Sequence, residues 1–240
     1  MLHTFKTMIV NSYLVKAPHY VLVDTGAPNN GKRIINALAK MDIAPKDISL
    51  ILLTHAHSDH AGSAEELRRL TGAPIAVHHL DADMLARGDN GKMLPIGIEA
   101  RMSQPFVDRP FPSVKADILL KSQADIDQLG IQAKFLHTPG HSDGSISLVF
   151  DSGEAIVGDI LRGGMMGGSV MSWRPTYPYF LYNMAHQSIL YSSIQSVLDA
   201  GATRFYVGHG GWLSRQRVAT WLTRHLAKHE SHHKSVVQRL

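Results

Sequence analysis

Three histidines and an aspartate lie within six positions of one another, directly after the apolar residues 50–53. They are His55, His57, Asp59 and His60. Imidazole nitrogen and carboxylate oxygen are the ligands that zinc and similar metals prefer. Side chains alternate along a β-strand, so His55 and His57 point the same way, and the following turn brings Asp59 and His60 in from another side. The spacing predicts two adjacent metal sites rather than a chance cluster among the 15 histidines of the chain.

Four further segments place a histidine or an aspartate at the end of an apolar stretch. They are residues 21–26 with Asp24, residues 136–142 with His141, residues 156–159 with Asp159, and residues 206–210 with His209. With residues 54–62, and in this order, they resemble the metal-binding signature of the metallo-β-lactamase-fold hydrolase superfamily. The resemblance covers about residues 9–210. It implies an α/β fold, a four-layer αβ/βα sandwich, and we predict a single domain over residues 1–240.

The resemblance also implies a ligand set for two divalent ions. The first ion would be held by His55, His57 and His141, the second by Asp59, His60 and His209, and Asp159 would bridge them. Seven ligands leave an open position on each ion, as a catalytic site requires. Asp59 and Asp159 are therefore the predicted catalytic carboxylates, and Asp24 is expected to accept a hydrogen bond from a metal-bound histidine. Zinc is the expected metal, with iron and manganese as alternatives.

The predicted reaction is hydrolysis of a small ester, thioester, lactone or amide by a metal-bridging hydroxide. The chain contains no Cys, and Asp159 stands where the best-known β-lactamases of the superfamily carry one. A bridging Asp is typical of the glyoxalase II-like and lactonase-like branch. Two alternatives stay open at this point: a mononuclear-iron oxygenase of the persulfide dioxygenase type, and a phosphodiesterase.

Composition limits the setting in which such an enzyme works. No apolar stretch of about 18 residues is present, so no membrane span is expected. The absence of Cys and of a signal-peptide pattern at the N-terminus favours a cytoplasmic location. The net charge is +4, and the basic residues concentrate after residue 214, which indicates a solvated helix face rather than a nucleic-acid surface. A small-molecule substrate is the expected partner, and a homodimer is an open option.

Apolar periodicity predicts the elements that must position these residues. Strands are predicted at residues 9–15, 20–24, 49–53, 75–77, 134–136, 145–150, 155–157 and 204–207. Helices are predicted at residues 32–40, 63–70, 80–86, 183–199 and 214–229. Residues 88–112 carry Gly and Pro throughout and are predicted to be a long surface excursion.

Two segments are predicted to line the mouth of the metal cleft, because loops that leave strand ends supply the walls of such sites. They are residues 162–182 and 93–111. The candidate substrate-binding side chains are Met171, Trp173, Tyr177, Tyr179 and Tyr182. Lactonases of the superfamily orient the substrate carbonyl with a Tyr, and the three tyrosines are the candidates for that role. Ordinary packing or a dimer contact is the alternative use of the first segment.

Overall fold

Two β-sheets pack face to face in the computed structural model, which describes residues 2–7, 10–16, 18–183 and 186–237. Each sheet carries helices on its outer surface. Among the described residues, no helix combines the length and the apolar character needed to cross a membrane.

The first sheet and its helices come from the first half of the chain. The elements are β1 (Leu2–Thr7), β2 (Val10–Lys16), β3 (Tyr20–Val23), α1 (Gly31–Ala39), β4 (Ile48–Leu52), α2 (Ser58–Ala61), α3 (Ala64–Thr71), β5 (Ile75–His78), α4 (Ala82–Arg87), β6 (Leu94–Pro95), α5 (Gly97–Val107), β7 (Ile118–Leu120) and α6 (Gln123–Gln128). The strand order is β1-β2-β3-β4-β5-β7. The strands from β1 to β3 pair antiparallel, and those from β3 to β7 pair parallel.

The second sheet comes from the second half of the chain. Its elements and those around it are β8 (Ala133–His137), β9 (Ile146–Phe150), β10 (Glu154–Gly158), β11 (Arg162–Met165), β12 (Val170–Thr176), β13 (Phe180–Leu181), α7 (His186–Asp199), β14 (Arg204–Val207), β15 (Leu213–Ser214) and α8 (Arg215–Val237). The strand order is β15-β14-β10-β9-β8. Strands β11 and β12 form a separate hairpin, and β6 pairs with β13.

Three apolar clusters separate the layers. In β3, Val21 and Val23 point into the cluster between the sheets, whereas Leu22 points into the cluster beneath α1 and α3. Because both faces of the strand are buried, its sequence is a continuous apolar run rather than an alternating one. A third cluster joins the outer face of the second sheet to α7 and α8 through side chains such as Ile194 and Val218. Three buried interfaces make four layers, which is the αβ/βα sandwich predicted from the sequence.

The structure differs from the sequence-based elements at several places. Residues 97–107 of the predicted excursion form helix α5, whose apolar side chains Ile98, Met102 and Phe106 are exposed. Residues 162–176, predicted as loop, form the β11–β12 hairpin. Strand β1 was not predicted. The predicted strand at residues 9–15 and the predicted helix at residues 183–199 each include positions that lie outside the described residues.

The ends of strands from both sheets meet at one edge. Strand β4 leads into residues 54–60, β10 into Asp159, and β14 into His209. Backbone hydrogen bonds join the sheets here, since Ile146 donates to the Thr54 carbonyl at 2.9 Å and Asn11 to that of Gly208 at 2.7 Å. This edge therefore holds the predicted ligands in a fixed relation.

Candidate metal centre

All seven predicted ligands lie at this edge, in three overlapping groups. The groups are His55, His57 and His141; His55, Asp59 and His60; and His60, Asp159 and His209. Within each group the candidate ligand atoms lie within 4.8 Å of one another. All seven residues except Asp59 are fully or almost fully buried. The arrangement brings nitrogen and oxygen donors from both sheets around one small space.

Hydrogen bonds fix which ring nitrogen of His60 and His55 is available. The Nδ1 atom of His60 lies 2.8 Å from Oδ2 of Asp24, and an ionised carboxylate only accepts, so His60 donates from Nδ1. The Thr54 hydroxyl donates to the same oxygen at 2.8 Å and therefore accepts from Nδ1 of His55 at 3.1 Å. In the neutral form of each ring, Nε2 consequently carries the lone pair. Burial opposes the charged form of His60, but Asp159 and Asp24 raise its pKa well above the usual value, so its Nε2 becomes available when a metal ion displaces the proton. Asp24 thus acts through Thr54 on one histidine and directly on the other.

Hydrogen bonds also orient the rings of His141 and His57. Nδ1 of His141 donates to the Phe180 carbonyl at 2.8 Å, which leaves the lone pair on Nε2. That atom lies 2.8 Å from Nδ1 of His57. Burial and neighbouring His141 together lower the pKa of His57 to about 3, so His57 stays neutral. Neutral imidazoles this close suit a shared cation.

The two carboxylates meet at His209. Its Nε2 lies 3.1 Å from Oδ2 of Asp159 and 3.1 Å from Oδ2 of Asp59. Burial opposes the charged form of His209, but Asp159 and Asp59 raise its pKa to about 9. Burial likewise opposes ionisation of Asp159, yet His209 and His60 hold its pKa well below the usual range. Oδ1 of Asp159 lies 3.4 Å from Nε2 of His60, and Oδ2 lies 3.8 Å from Nε2 of His141, so this carboxylate stands between the two predicted ligand sets.

Three buried atoms of the cluster lack a hydrogen-bond partner within the described part of the chain. They are Nε2 of His55, Nε2 of His60 and Oδ1 of Asp159. A buried polar atom without a partner costs about 1–3 kcal/mol, so native structures rarely keep several together. Each of the three offers a lone pair, and their types match the ligands of zinc, iron and manganese. The residues present therefore fit divalent metal ions.

A small cavity of about 130 Å³ opens onto the cluster. Its walls beyond the ligands are Met93, Ser103, Val107, Gly167, Tyr179 and Phe180. Strand β6 pairs with β13, which sets Leu94 opposite Leu181. This pairing places residues 88–112, which include α5, over the site. Both segments predicted to line the cleft thus contribute to it, and the lining is largely apolar.

Comparison with known proteins decides the family. The family model described as "Metallo-beta-lactamase superfamily" matches residues 6–209, which is most of the chain. The chain belongs to the metallo-β-lactamase superfamily. The fold agrees, because a metallo-β-lactamase family protein of Thermus thermophilus, TTHA1429, superimposes with a TM-score of 0.64 at 22% identity, covering 96% of this chain and 81% of that one.

Two superfamily relatives carry functional names. The probable metallo-hydrolase YqgX of Bacillus subtilis (strain 168) is 31% identical over 65% of this chain and 67% of its own length. The acyl-coenzyme A thioesterase MBLAC2 of Homo sapiens is 33% identical over 57% of this chain, and the match spans about half of that relative, 48%. With these relatives, the chain is identified as a hydrolase of the superfamily.

The predicted substrate-binding residues lie in different places around the edge that holds the candidate ligands. Tyr179 lines the metal cavity. Met171, Trp173 and Tyr177 instead line a neighbouring groove, where Tyr177 packs edge-on against Trp221 of α8. Tyr182 lines neither of these two spaces. Of the three candidate tyrosines, only Tyr179 therefore lines the cavity beside the candidate ligands.

One buried residue that supports the site was not singled out in the sequence. Asp81 is fully buried and accepts hydrogen bonds from the Ala56 amide at 3.0 Å, the Ser142 hydroxyl at 2.8 Å and the Gly144 amide at 2.7 Å. It thus joins the loop that contains His57 to the loop that contains His141. A lone Asp before a short helix gives no sequence signal of this role, because its partners are distant in the chain.

Glycine is required where two strand ends approach the cluster most closely. A Cβ atom on Gly208 would lie 2.0 Å from Oδ1 of Asp159 and 2.4 Å from Cε1 of His60. Gly158, with φ of +51°, would place one 2.7 Å from Oγ1 of Thr54. Side chains at these positions would displace the ligands or the hydroxyl that orients His55.

Proposed function

We propose that the protein is a binuclear metal-dependent hydrolase that cleaves a small acyl thioester, or a chemically related ester, lactone or amide. The observation that carries the proposal is the group of three partnerless buried donor atoms, set among seven candidate ligands at the floor of a small apolar cavity. The thioester is placed first because one relative is named an acyl-coenzyme A thioesterase. Zinc is the proposed metal, and a cytoplasmic location and a homodimer stay predictions.

In this proposal each residue has a defined part. One ion would be held by His55, His57 and His141 and the other by Asp59, His60 and His209, with Asp159 available to both. When bound, divalent ions in such a site supply an activated water at neutral pH and polarise a carbonyl oxygen. Asp24 and Thr54 keep the histidines in the tautomers that present a lone pair. Met93, Val107 and Phe180 exclude bulk water and receive the acyl group.

Metal content tests the first part of the proposal. We expect two divalent ions per chain by elemental analysis. We also expect chelation to lower the midpoint temperature of unfolding, because the buried ligand atoms then lose the ions that they bind. The variant His57→Ala should bind less metal, whereas His19→Ala, a change at an exposed histidine remote from the cluster, should match the wild type. A single bound iron would contradict the binuclear hydrolase and support the oxygenase alternative.

Acyl-chain selectivity tests the second part. Met93→Ala should enlarge the cavity and raise kcat/KM for a longer acyl chain relative to acetyl by about tenfold, since one methylene in an apolar pocket changes selectivity by about 10–200-fold. Val107→Phe should shift selectivity towards short chains. Met102→Ala, on the exposed side of α5, is the matched control. If the variants change kcat/KM equally for every chain length at unchanged metal content, the cavity does not bind the acyl chain.

A further inference from the structure

A second and larger groove lies beside the metal cavity, between the β11–β12 hairpin and α8. Its volume is about 1260 Å³. Half-exposed Met165, Met171 and Trp173 line it from the hairpin, and Arg217, Arg224 and Lys228 line it from the helix. We call this space the hairpin groove. It combines exposed apolar and aromatic surface with a row of cations.

The charge of the hairpin groove is strongly one-sided. Five basic residues line it, namely Arg162, Arg174, Arg217, Arg224 and Lys228. Glu99 is the only acidic residue among the described residues that line it. The spacing of the three basic residues on α8 places them on one face of the helix. A concave surface lined by one sign of charge concentrates ligands of the opposite sign.

Arg162 provides independent evidence that an anion belongs here. Its side chain is about 7% exposed, and its guanidinium lies 3.4 Å above the ring of Tyr179. Nε donates to the Tyr177 carbonyl at 2.8 Å, and Nη2 lies 3.7 Å from Oε2 of Glu99. Nη1 is buried and has no hydrogen-bond partner among the described residues. A buried guanidinium N–H without an acceptor is costly, so an anionic oxygen that reached Nη1 from the groove would be stabilised.

Two stacked side chains, Tyr179 and Arg162, form the wall that separates the hairpin groove from the metal cavity. The ring of Tyr179 lines the metal cavity, and Arg162, stacked on that ring, lines the groove. The Tyr179 hydroxyl donates to Oε1 of Glu99 at 2.5 Å, and Glu99 also lines the groove. A ligand whose acyl end and anionic end are joined by a chain long enough to pass over this wall can therefore reach both spaces.

We propose that the hairpin groove binds the phosphate-bearing part of a thioester substrate, of the kind found in the nucleotide of coenzyme A, while its acyl end occupies the metal cavity. Arginines bind phosphate through paired N–H groups, and the half-exposed indole of Trp173 holds one of these cations in the groove, since the Arg217 guanidinium lies 4.8 Å from the centroid of its ring. This assignment rests on the proposed hydrolase function. In that reaction water adds across the C–S bond, so the acyl carbon gains the hydroxyl and the thiol gains the proton.

Direct binding tests the groove without catalysis. Adenosine 3′,5′-bisphosphate is titrated into the wild type and into the double variant Arg217→Glu/Arg224→Glu by calorimetry. We expect the two charge reversals to weaken binding by about tenfold or more, because both lost cations face the phosphates. The double variant Arg33→Glu/Arg69→Glu makes the same change in net charge at exposed positions on α1 and α3 and should bind like the wild type.

Kinetics then separates the groove from the hydrolase itself. For one acyl group, the ratio of kcat/KM on the coenzyme A thioester to that on the N-acetylcysteamine thioester should fall about tenfold in the groove variant. The proposal is overturned if the bisphosphate does not bind the wild type or binds both double variants equally. Displacement of the bisphosphate by a tighter-binding single-stranded oligonucleotide, or burial of the groove in a dimer in solution, would also overturn it. Groove-dependent binding with no hydrolysis of either thioester would contradict the proposed function alone.

Discussion

Replacing Asp159 with alanine should reduce turnover by about a thousandfold or more and deplete bound metal. The reason is geometric. Oδ2 of Asp159 lies 3.1 Å from Nε2 of His209 in one predicted ligand set and 3.8 Å from Nε2 of His141 in the other, so Asp159 is the group that joins the two halves of the cluster. Removing it also leaves buried imidazoles without the negative charge that faces them. The measurement is kcat with metal in excess, together with metal content per chain.

Two further variants make this result specific. Asp159→Asn keeps the size of the side chain but lowers its charge, so it should stay folded by circular dichroism and still lose most activity. Asp151→Ala removes an exposed aspartate at the turn between β9 and β10 and should leave activity and metal content unchanged. Near-native activity of Asp159→Ala at saturating metal would show that the bridging assignment is wrong.

Replacing Asp81 with alanine should lower the free energy of unfolding by about 3 kcal/mol, because three buried donors lose their acceptor. For a chain of this size the midpoint temperature should fall by about 6–12 °C. Metal affinity should fall as well, since the loops of His57 and His141 are no longer tied together. Asp83→Ala, at an exposed position on the same helix, serves as the control in thermal unfolding and metal titration.

The effect of Asp81 on stability should depend on pH in a defined direction. Burial raises its pKa to about 6, and the three hydrogen bonds only partly oppose this shift. In the unfolded chain the carboxyl titrates at about 4, so the folded state binds more protons between about pH 4 and 6. The difference in unfolding free energy between the wild type and Asp81→Ala should therefore become smaller as pH rises through this window. If this difference in unfolding free energy grows with pH instead, the hydrogen bonds outweigh burial in setting the pKa of Asp81.

Much of the fold was predictable because its signals are local. The apolar runs of β3 and β4 predict strands buried on both faces, and the structure places alternate side chains of each in different apolar clusters. Residues 97–107 and the β11–β12 hairpin were not predicted, since Gly and Pro interrupt both segments and α5 exposes Ile98, Met102 and Phe106 rather than a polar face. These elements form because they pack over the site, not because of their own periodicity.

The sequence by itself predicted the kind of chemistry. Imidazoles and a carboxylate at residues 55–60 lie close in the chain, so their spacing alone limits where their side chains can point, and their role as ligands stays a prediction until bound metal is measured. Tertiary structure alone decided three other features: the tautomers set by Asp24, the support from Asp81, and the separation of Tyr179 from Trp173. Asp81 reaches partners 25, 61 and 63 positions away, and the two longer contacts, to Ser142 and Gly144, exist only once the two sheets have packed. Likewise the path of the β11–β12 hairpin, not its composition, sets which side chains line the metal cavity and which line the basic groove.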